Sequence, residues 1–404
     1  ALWELFNERR TSEQIIIAYF NKRCSKRNGA SHVIYDEFIA ELKNSNYSTL
    51  LERYPVMGRL LAIIVQQWLK NSKELLHRIS ECRMLLSKKF GFPPNAPLEA
   101  IQTGLSDPHR EGMTVAILRF GRSLDGKKIV YKPKSLDIDQ AWHEVLEVLN
   151  QESDLPRLRV VKILNFHCYG FMDYVEHRLC KGKDELSSFY KNTGRLIAIL
   201  HMMGCTDCHY ENLIANGDQL ILIDIETMFE VDLCTIKENR NDKERSIRSI
   251  IDKSVLRCEL LPQWIIINSP SNRRYDISAL GIEPPPKELL LPCWVGLNSD
   301  GMMPGSSVKE IELPTCLPYV QDDDQHHTDF IEEICSGFVE QISEVLRIRT
   351  RLIKKIQSFR NCDRRIVLKG TRTYCVIIQE MLKPKALRSA TQQGYITEQI
   401  IKNW

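Results

Sequence analysis

Between Gly204 and Phe229 the chain reads GCTDCHYENLIANGDQLILIDIETMF, and this stretch constrains the fold more than any other. Asp207, His209 and Asn212 follow the glycine at D-x-H-x-x-N spacing. The apolar run Leu220-Ile221-Leu222-Ile223 then predicts a fully buried strand. Asp224 and Glu226 stand at its end as D-x-E. A polar loop followed by a buried strand that ends in two carboxylates delivers its acids to one edge of a core.

Kinase-type folds build their sites in this way. The loop Asp orients the accepting hydroxyl, while the Asn and the strand-end Asp hold magnesium on the ATP phosphates. Magnesium takes hard oxygen ligands, which Asn212 and Asp224 supply. Each of these residues alone is an ordinary turn former; their joint spacing ahead of a buried strand points to phosphoryl transfer. The string Cys205-Thr206-Asp207-Cys208-His209 also has the C-x-x-C-H form of a haem attachment or of half a zinc site. A second Cys/His pair at metal spacing is not visible, nor is a secretory leader, so both thiols are expected to be reduced and dispensable for chemistry.

Composition sets the class. The 404 residues carry 55 basic and 52 acidic side chains, a net charge of +3, which gives no electrostatic case for nucleic acid or an anionic membrane. No apolar run approaches the ~20 residues that span a bilayer. The 13 cysteines are scattered and odd in number, which predicts reduced thiols and a cytoplasmic location rather than a disulfide framework. The chain opens on Ala1 rather than Met and stops at Trp404 without a polar tail, which suggests a piece of a longer protein.

Helices are expected at Ser12 to Phe20, Val33 to Leu42, Val56 to Leu75 and Leu76 to Phe90. The third is apolar on several faces and is expected to be buried. Gly91 to Pro97 breaks the pattern and marks a boundary between a helical part, 1–97, and a core, 98–404. In the core, Met113 to Phe120 and Lys127 to Tyr131 flank Asp125-Gly126 as a hairpin, with Lys132 at the end of the return strand. That is where kinases place the lysine that pairs with ATP phosphates. The helix Ile138 to Leu149 offers Glu144 or Glu147 as the acidic partner of Lys132, and the sequence does not choose. Strands at Leu158 to Phe166 and Cys168 to Val175 and a helix from Asp184 to Met203 lead to the central stretch. Beyond it, Arg245 to Leu261 and Glu332 to Phe359 read as helices, Arg364 to Leu368 as a short strand and Thr371 to Leu382 as a final helix. A strand-rich part followed by a helical part predicts an α+β fold with a two-lobed, lipid- or protein-kinase-like core.

The strings SDPHREG, IVYKPKSL, TDCHYENLIANG, LILIDIETMF and RRIVLKGTRTY, in this order, resemble the dehydratase domain of the class II lanthipeptide synthetases, the LanM family. The similarity runs from about residue 50 to about 385, and TDCHYENLIANG is its most specific block. The resemblance implies a lipid-kinase-like fold and an enzyme that phosphorylates Ser and Thr of a ribosomal precursor peptide with ATP and magnesium. The phosphate is then eliminated to leave dehydroalanine or dehydrobutyrine. It further implies that Lys132 binds ATP phosphates, that Asp207 is the base for the substrate hydroxyl with His209 beside it, and that Asn212 and Asp224 hold magnesium. Glu226 has a supporting role, while Asp107 with His109 and Arg365 with Thr371 match two pairs tied to phosphate elimination. Elimination asks more than phosphorylation does: a base for a weakly acidic α-proton and cations for the departing phosphate. The family's zinc-bearing, LanC-like cyclase domain, which closes the thioether rings, has no counterpart in these residues. Lys369-Gly370 stands where the family has Arg-Pro. Two other functions share the D-x-H-x-x-N and D-x-E strings: a small-molecule kinase of the aminoglycoside or choline type, and a kinase-like remnant that only binds peptide. Asp107, His109, Arg365 and Thr371 separate the dehydratase from the plain kinase, and an intact Lys132, Asn212 and Asp224 separates both from the remnant.

Overall fold

The computed structural model describes residues 1–23, 31–122, 125–229, 250, 253–266, 274–276, 278–281, 288–310, 314–318, 327–363 and 371–402. Two compact units interleave along the chain: residues 1–74, 286–311 and 367–404 form one, and residues 75–285 and 312–366 the other.

The first unit begins with α1 (Leu2–Asn7), α2 (Ser12–Arg23), α3 (Val33–Asn44) and α4 (Ser48–Arg53) and includes the start of α5 (Pro55–Glu81). Its core gathers Phe6, Phe38, Leu42, Tyr54, Met302 and Leu387. The hairpin Glu288–Val295/Met303–Glu310 is tied to the N-terminal helices at its turn. Arg10 donates to the Asp300 carbonyl at 3.0 Å, and the Tyr35 N–H donates to Asp300 Oδ1 at 2.8 Å. The helix Thr371–Met381 forms as expected but is not the last, since Pro384–Leu387 and Ala390–Lys402 follow it. The expectation of a buried helix at Val56 to Leu75 is corrected. Within α5, Ile64, Val65 and Trp68 are 59, 61 and 67% exposed. An all-round apolar pattern usually means burial on every side, but among the described residues the apolar middle of the helix is left open, while Val56 packs into one core and Ile79 into another.

The second unit holds the end of α5, α6 (Arg83–Phe90) and a five-stranded antiparallel sheet. Gly91, in the left-handed region at φ 76°, ends α6 at the expected break. The strands are β1 (Leu98–Gln102), β2 (Ala116–Phe120), β3 (Lys127–Lys132), β4 (Ile163–Asn165) and β5 (Gly170–Asp173), in the order β1-β2-β3-β5-β4. The edge strand β1 was not expected from the sequence. Successive side chains alternate across a sheet, and the two faces are used differently. Leu118, Phe120, Ile129, Tyr131 and Phe171 point to one side, where Ile79, Cys82, Leu86 and Phe90 of α5 and α6 cover them. Val130 and Met172 point to the other, against Ile214, Ile221 and Ile223.

Those isoleucines belong to or border the hairpin β6 (Leu213–Asn216)/β7 (Gln219–Leu222), whose second strand is the apolar run of the central stretch. The strand β6 that pairs with it was not foreseen. Around the hairpin pack α7 (Asp137–Glu152), α8 (Lys183–Met202) and the helix Ile331–Ile356, through Trp142, Phe189, Leu200, Leu222 and Leu352. Two glycines allow the long helices to touch. A Cβ on Gly194 would strike the Ile334 carbonyl, and one on Gly337 would strike that of Lys191. Buried Arg195 locks the same contact, donating to Gln341 Oε1 at 3.1 Å and to the Pro156 carbonyl at 2.7 Å. The helix expected from Arg245 to Leu261 is corrected within the described residues: Val255–Cys258 is a 3-10 turn, followed by a strand, Trp264–Ile266, paired with Arg274–Asp276. Residues 364–370, where a short strand was expected, lie outside the described residues. Among the described residues, no helix is long and apolar enough to cross a membrane.

Candidate active site

Lys132 is the last residue of β3, on the strand face that looks toward the β6–β7 hairpin, and it is 5% exposed. Its register partner is Gly170, where a Cβ would collide with the Leu136 side chain and come within 3.0 Å of the Leu164 carbonyl oxygen. The chain therefore passes close to the lysine with no side chain in the way. The Lys132 ammonium donates to the Ile223 carbonyl at 2.6 Å and to Asp139 Oδ1 at 3.4 Å, and lies 3.6 Å from Asp224 Oδ1. A buried ammonium persists only when paired and hydrogen-bonded, and these partners satisfy that need.

Asp139 is the acid on α7 that meets Lys132, which settles the choice between the two glutamates against both. Glu144 instead accepts from Gln140 and pairs with Lys355, and Glu147 is exposed. Asp139 was missed, although the sequence held a signal for it. The buried stripe of α7 runs through Ile138, Ala141, Trp142, Val145 and Leu149, and Asp139 and His143 sit within it, four residues apart. Two polar residues on a helix's inner face ask for partners there. His143 Nδ1 accepts from the Val161 N–H at 3.3 Å. Burial, then the charge of Lys132, push its pKa down to about 3, so its imidazole is neutral.

Lys134 was also missed. It lies two residues past Lys132, in the alternation of the strand, and its ammonium donates to Asp224 Oδ1 at 2.7 Å and to Glu226 Oε1. Asp224 thus stands between two lysines at the end of β7. Burial alone would raise its pKa, yet Lys132 and Lys134 together hold the carboxyl well below the usual carboxylate range. Its side chain nevertheless keeps 41% of its surface open, so the carboxylate is reachable. The Lys134 ammonium loses hydration through burial, but Asp224, Asp139 and Glu226 more than offset this and lift its pKa above the ordinary value.

The loop that carries Asp207 and His209 is fixed to the same hairpin. Asp207 adopts φ 61°, a left-handed conformation that Asp tolerates better than most residues. The Asn212 amide donates to the Asp207 carbonyl at 2.8 Å, which orients its side-chain oxygen, an acceptor, away from that bond. The Ile223 N–H donates to the Asn212 carbonyl at 2.9 Å. Ile223 therefore joins the parts: its N–H holds the residue that follows the loop, its carbonyl holds Lys132, and the next residue is Asp224. The Glu211 N–H donates to His209 Nδ1 at 3.2 Å, which assigns the ring proton to Nε2. That nitrogen faces Asp207 Oδ1 at 3.5 Å.

Cys205 and Cys208 are buried free thiols with their sulfurs 3.5 Å apart, and the Cys208 N–H donates to the Cys258 carbonyl at 3.1 Å. The contact with Cys205, then burial, raise the Cys208 pKa. Among the described residues no group of three or more His, Cys, Asp or Glu side chains gathers as a metal cage.

The four residues that the resemblance ties to elimination are placed differently. Asp107 and His109 are exposed, on a tight turn closed by the His109–Met113 backbone pair at 2.9 and 2.7 Å. Arg365 lies outside the described residues, and Thr371 opens the helix Thr371–Met381 in the other unit. The structure thus brings Lys132 and Asp224 together, adds Lys134 and Asp139, ties the Asn212 backbone to Ile223, and sets Asp207 and His209 on the adjoining loop.

The sequence profile of a family described as a domain of unknown function (DUF4135) matches residues 54–403. The chain is also similar to the lacticin 481/lactococcin biosynthesis protein LcnDR2 of Lactococcus lactis subsp. lactis, at 21% identity over 353 residues. That alignment covers 84% of this chain and 37% of the relative, so the chain spans little more than a third of that protein's length.

Proposed function

The chain belongs to the DUF4135 family, and from the lysine–carboxylate cluster within the matched span we propose that it is the phosphoryl-transfer and elimination module of a lanthipeptide synthetase. The single observation that carries this reading is Lys132, held at the end of β3 by Asp139 of α7 and by the residues that lead into Asp224. A strand lysine paired with a helix acid, beside an Asn and an Asp at the end of a hairpin, supports phosphate binding in a kinase-like, two-lobed core. The relative's name, which concerns lacticin 481 and lactococcin biosynthesis, supports a ribosomal precursor peptide as the substrate.

In this reading Lys132 binds the phosphates of ATP, and Asp207 takes the proton of a Ser or Thr hydroxyl as its oxygen attacks the γ-phosphorus and the bond to ADP breaks. His209, with its proton on Nε2, orients Asp207. Magnesium is the metal that fits. The donor set is the side-chain oxygen of Asn212 and the carboxylate of Asp224, hard ligands that make too small a set to hold a metal without phosphate oxygens. Bound there, the ion would neutralise charge on the phosphate oxygens. Elimination then takes the α-proton of the phosphorylated residue and expels the phosphate, for which Asp107, His109, Arg365 and Thr371 are the candidates. Ring closure would fall to a cyclase domain elsewhere in such a protein.

Mass spectrometry of a precursor peptide with a leader and a Ser/Thr/Cys-rich core, incubated with the protein, ATP and magnesium, tests the reading. Loss of water is expected. A peptide that gains phosphate and stops there would transfer the assignment to a plain kinase, and failure to consume ATP with any peptide would remove it.

A further inference from the structure

Lys134 occupies the carboxylate that a metal would need, and its role there rests on the phosphoryl-transfer function proposed for this site. Its ammonium takes Asp224 Oδ1 at 2.7 Å, on the carboxylate assigned to magnesium, and takes Glu226 Oε1 as well. Lys132 is 3.6 Å from the same Asp224 oxygen. Two ammoniums and the three carboxylates of Asp139, Asp224 and Glu226 leave this cluster one net negative charge.

We propose that Lys134 is a tethered cation that competes with the divalent metal for Asp224 and, once displaced, binds the phosphates that arrive with the metal. The two lysines differ in how they are held. Lys132 is 6% exposed along its side chain and donates to a backbone carbonyl as well as to Asp139. Lys134 is 23% exposed, and both of its described partners are carboxylates, one of them the Asp224 assigned to the metal. A lysine is a compact charge on a flexible stem, able to swing from one anion to another. A dication at Asp224 would sit against the Lys134 ammonium at close range, where like charges repel strongly. The ammonium must leave, and a triphosphate is the anion that can receive it. Metal alone therefore binds weakly, metal with nucleotide binds well, and the two affinities are coupled.

Titration of the purified protein with Mn2+ in place of magnesium, with free Mn2+ read by electron paramagnetic resonance, measures this directly. It is run with and without a non-hydrolysable ATP analogue. In the wild type the analogue should tighten Mn2+ binding by ~30-fold or more, whereas Lys134→Gln should bind Mn2+ alone ~10-fold more tightly and gain less than ~3-fold from the analogue. Lys134→Arg, which keeps the charge, should follow the wild type. Lys134→Met keeps the volume of the stem and replaces the Gln variant if circular dichroism shows that one unfolded. A neutral variant whose Mn2+ affinity without nucleotide stays within ~2-fold of wild type would overturn the role of Lys134 and leave the phosphoryl-transfer reading standing. Asp224→Asn separates the two: if it binds Mn2+ and the analogue as the wild type does, the metal is not at Asp224, and both proposals fall.

Discussion

Two polar regions of the second unit are built in opposite ways. Around Lys132 the charges lie at the seam between sheet, hairpin and α7, and both lysines reach partners some ninety residues on in sequence, Lys132 the Ile223 carbonyl and Lys134 the Asp224 carboxylate. The turn of Asp107 and His109 is held by its own backbone and by local hydroxyls: the His109–Met113 pair closes it, and Ser106 Oγ accepts from the Val115 N–H at 3.0 Å. The first region cannot be altered without disturbing what packs on it. The second can lose a side chain at little cost to the fold. The contrast predicts which variants will show up in stability, which in chemistry and which in both.

The largest expected effect is chemical. Asp224→Asn removes the carboxylate that the proposed function assigns to the metal and should lower ATP turnover by about 100-fold or more, equivalent to about 2.7 kcal/mol in the barrier. Steady-state ATPase assays with peptide present measure it. Turnover within a few-fold of wild type would break the assignment of this cluster as the reactive one.

Asp139→Asn should move both quantities. It leaves the Lys132 ammonium buried beside a neutral amide, at a cost of about 2–3 kcal/mol in unfolding free energy, and it should loosen nucleotide binding about tenfold as Lys132 shifts. Glu144→Gln serves as the internal control. Its partner Lys355 is exposed enough that the change should stay near 0.5 kcal/mol, with nucleotide binding unaltered. Urea denaturation and nucleotide titration of both variants decide whether Asp139 or a glutamate supports the lysine.

A third test uses pH. His143 has a folded pKa of about 3 against an ordinary value of 6.5, so the unfolded chain binds the proton more readily than the folded one. The stability linked to this group is fully present above pH 6.5 and is lost as the pH falls toward 3. The slope can reach about 1.4 kcal/mol per pH unit in that window. His143→Gln, which keeps an acceptor for the Val161 N–H, should flatten the dependence between pH 6 and 5, as read from urea midpoints. Equal slopes in variant and wild type would mean that water reaches the imidazole and the α7 seam is less closed than the cluster requires.

Legibility in the sequence divides along the same line. The placement of Lys132, Asn212 and Asp224 in the fold was legible because each is fixed by local pattern: the end of a hairpin strand, a turn at set spacing, the end of an apolar run. Asp139 was not, because several acids on one helix compete for the lysine and only the packing of α7 selects among them. The tell-tale was a polar pair inside an apolar stripe. The short strands β1 and β6 carried too few residues for their period to show. The exposed middle of α5 misled because pattern reports how apolar a helix is and not what lies against it. For the four residues proposed for elimination, sequence offers the resemblance alone. Asp107 and His109 sit in a turn that any polar residues would suit, Arg365 lies outside the described residues, and Thr371 belongs to the other unit.

The smallest expected change in stability sharpens the contrast most. Asp107→Ala and His109→Ala each remove an exposed side chain from a turn whose hydrogen bonds run through its backbone and through Ser106 and Thr114. Unfolding free energy should stay within about 0.5 kcal/mol of wild type, the range of surface changes that touch no cap or buried partner. ATP consumption should also persist, since Lys132, Asp207, Asn212 and Asp224 are untouched. If the turn serves elimination, the peptide should then accumulate with phosphate still attached, a gain in mass where the wild type shows loss of water. A destabilisation as large as that of Asp139→Asn would show that the turn is part of the packed structure, and the comparison between the two regions would fail. Dehydrated peptide at the wild-type rate, from a stable variant, would leave the fold as described and move the elimination chemistry away from these two residues.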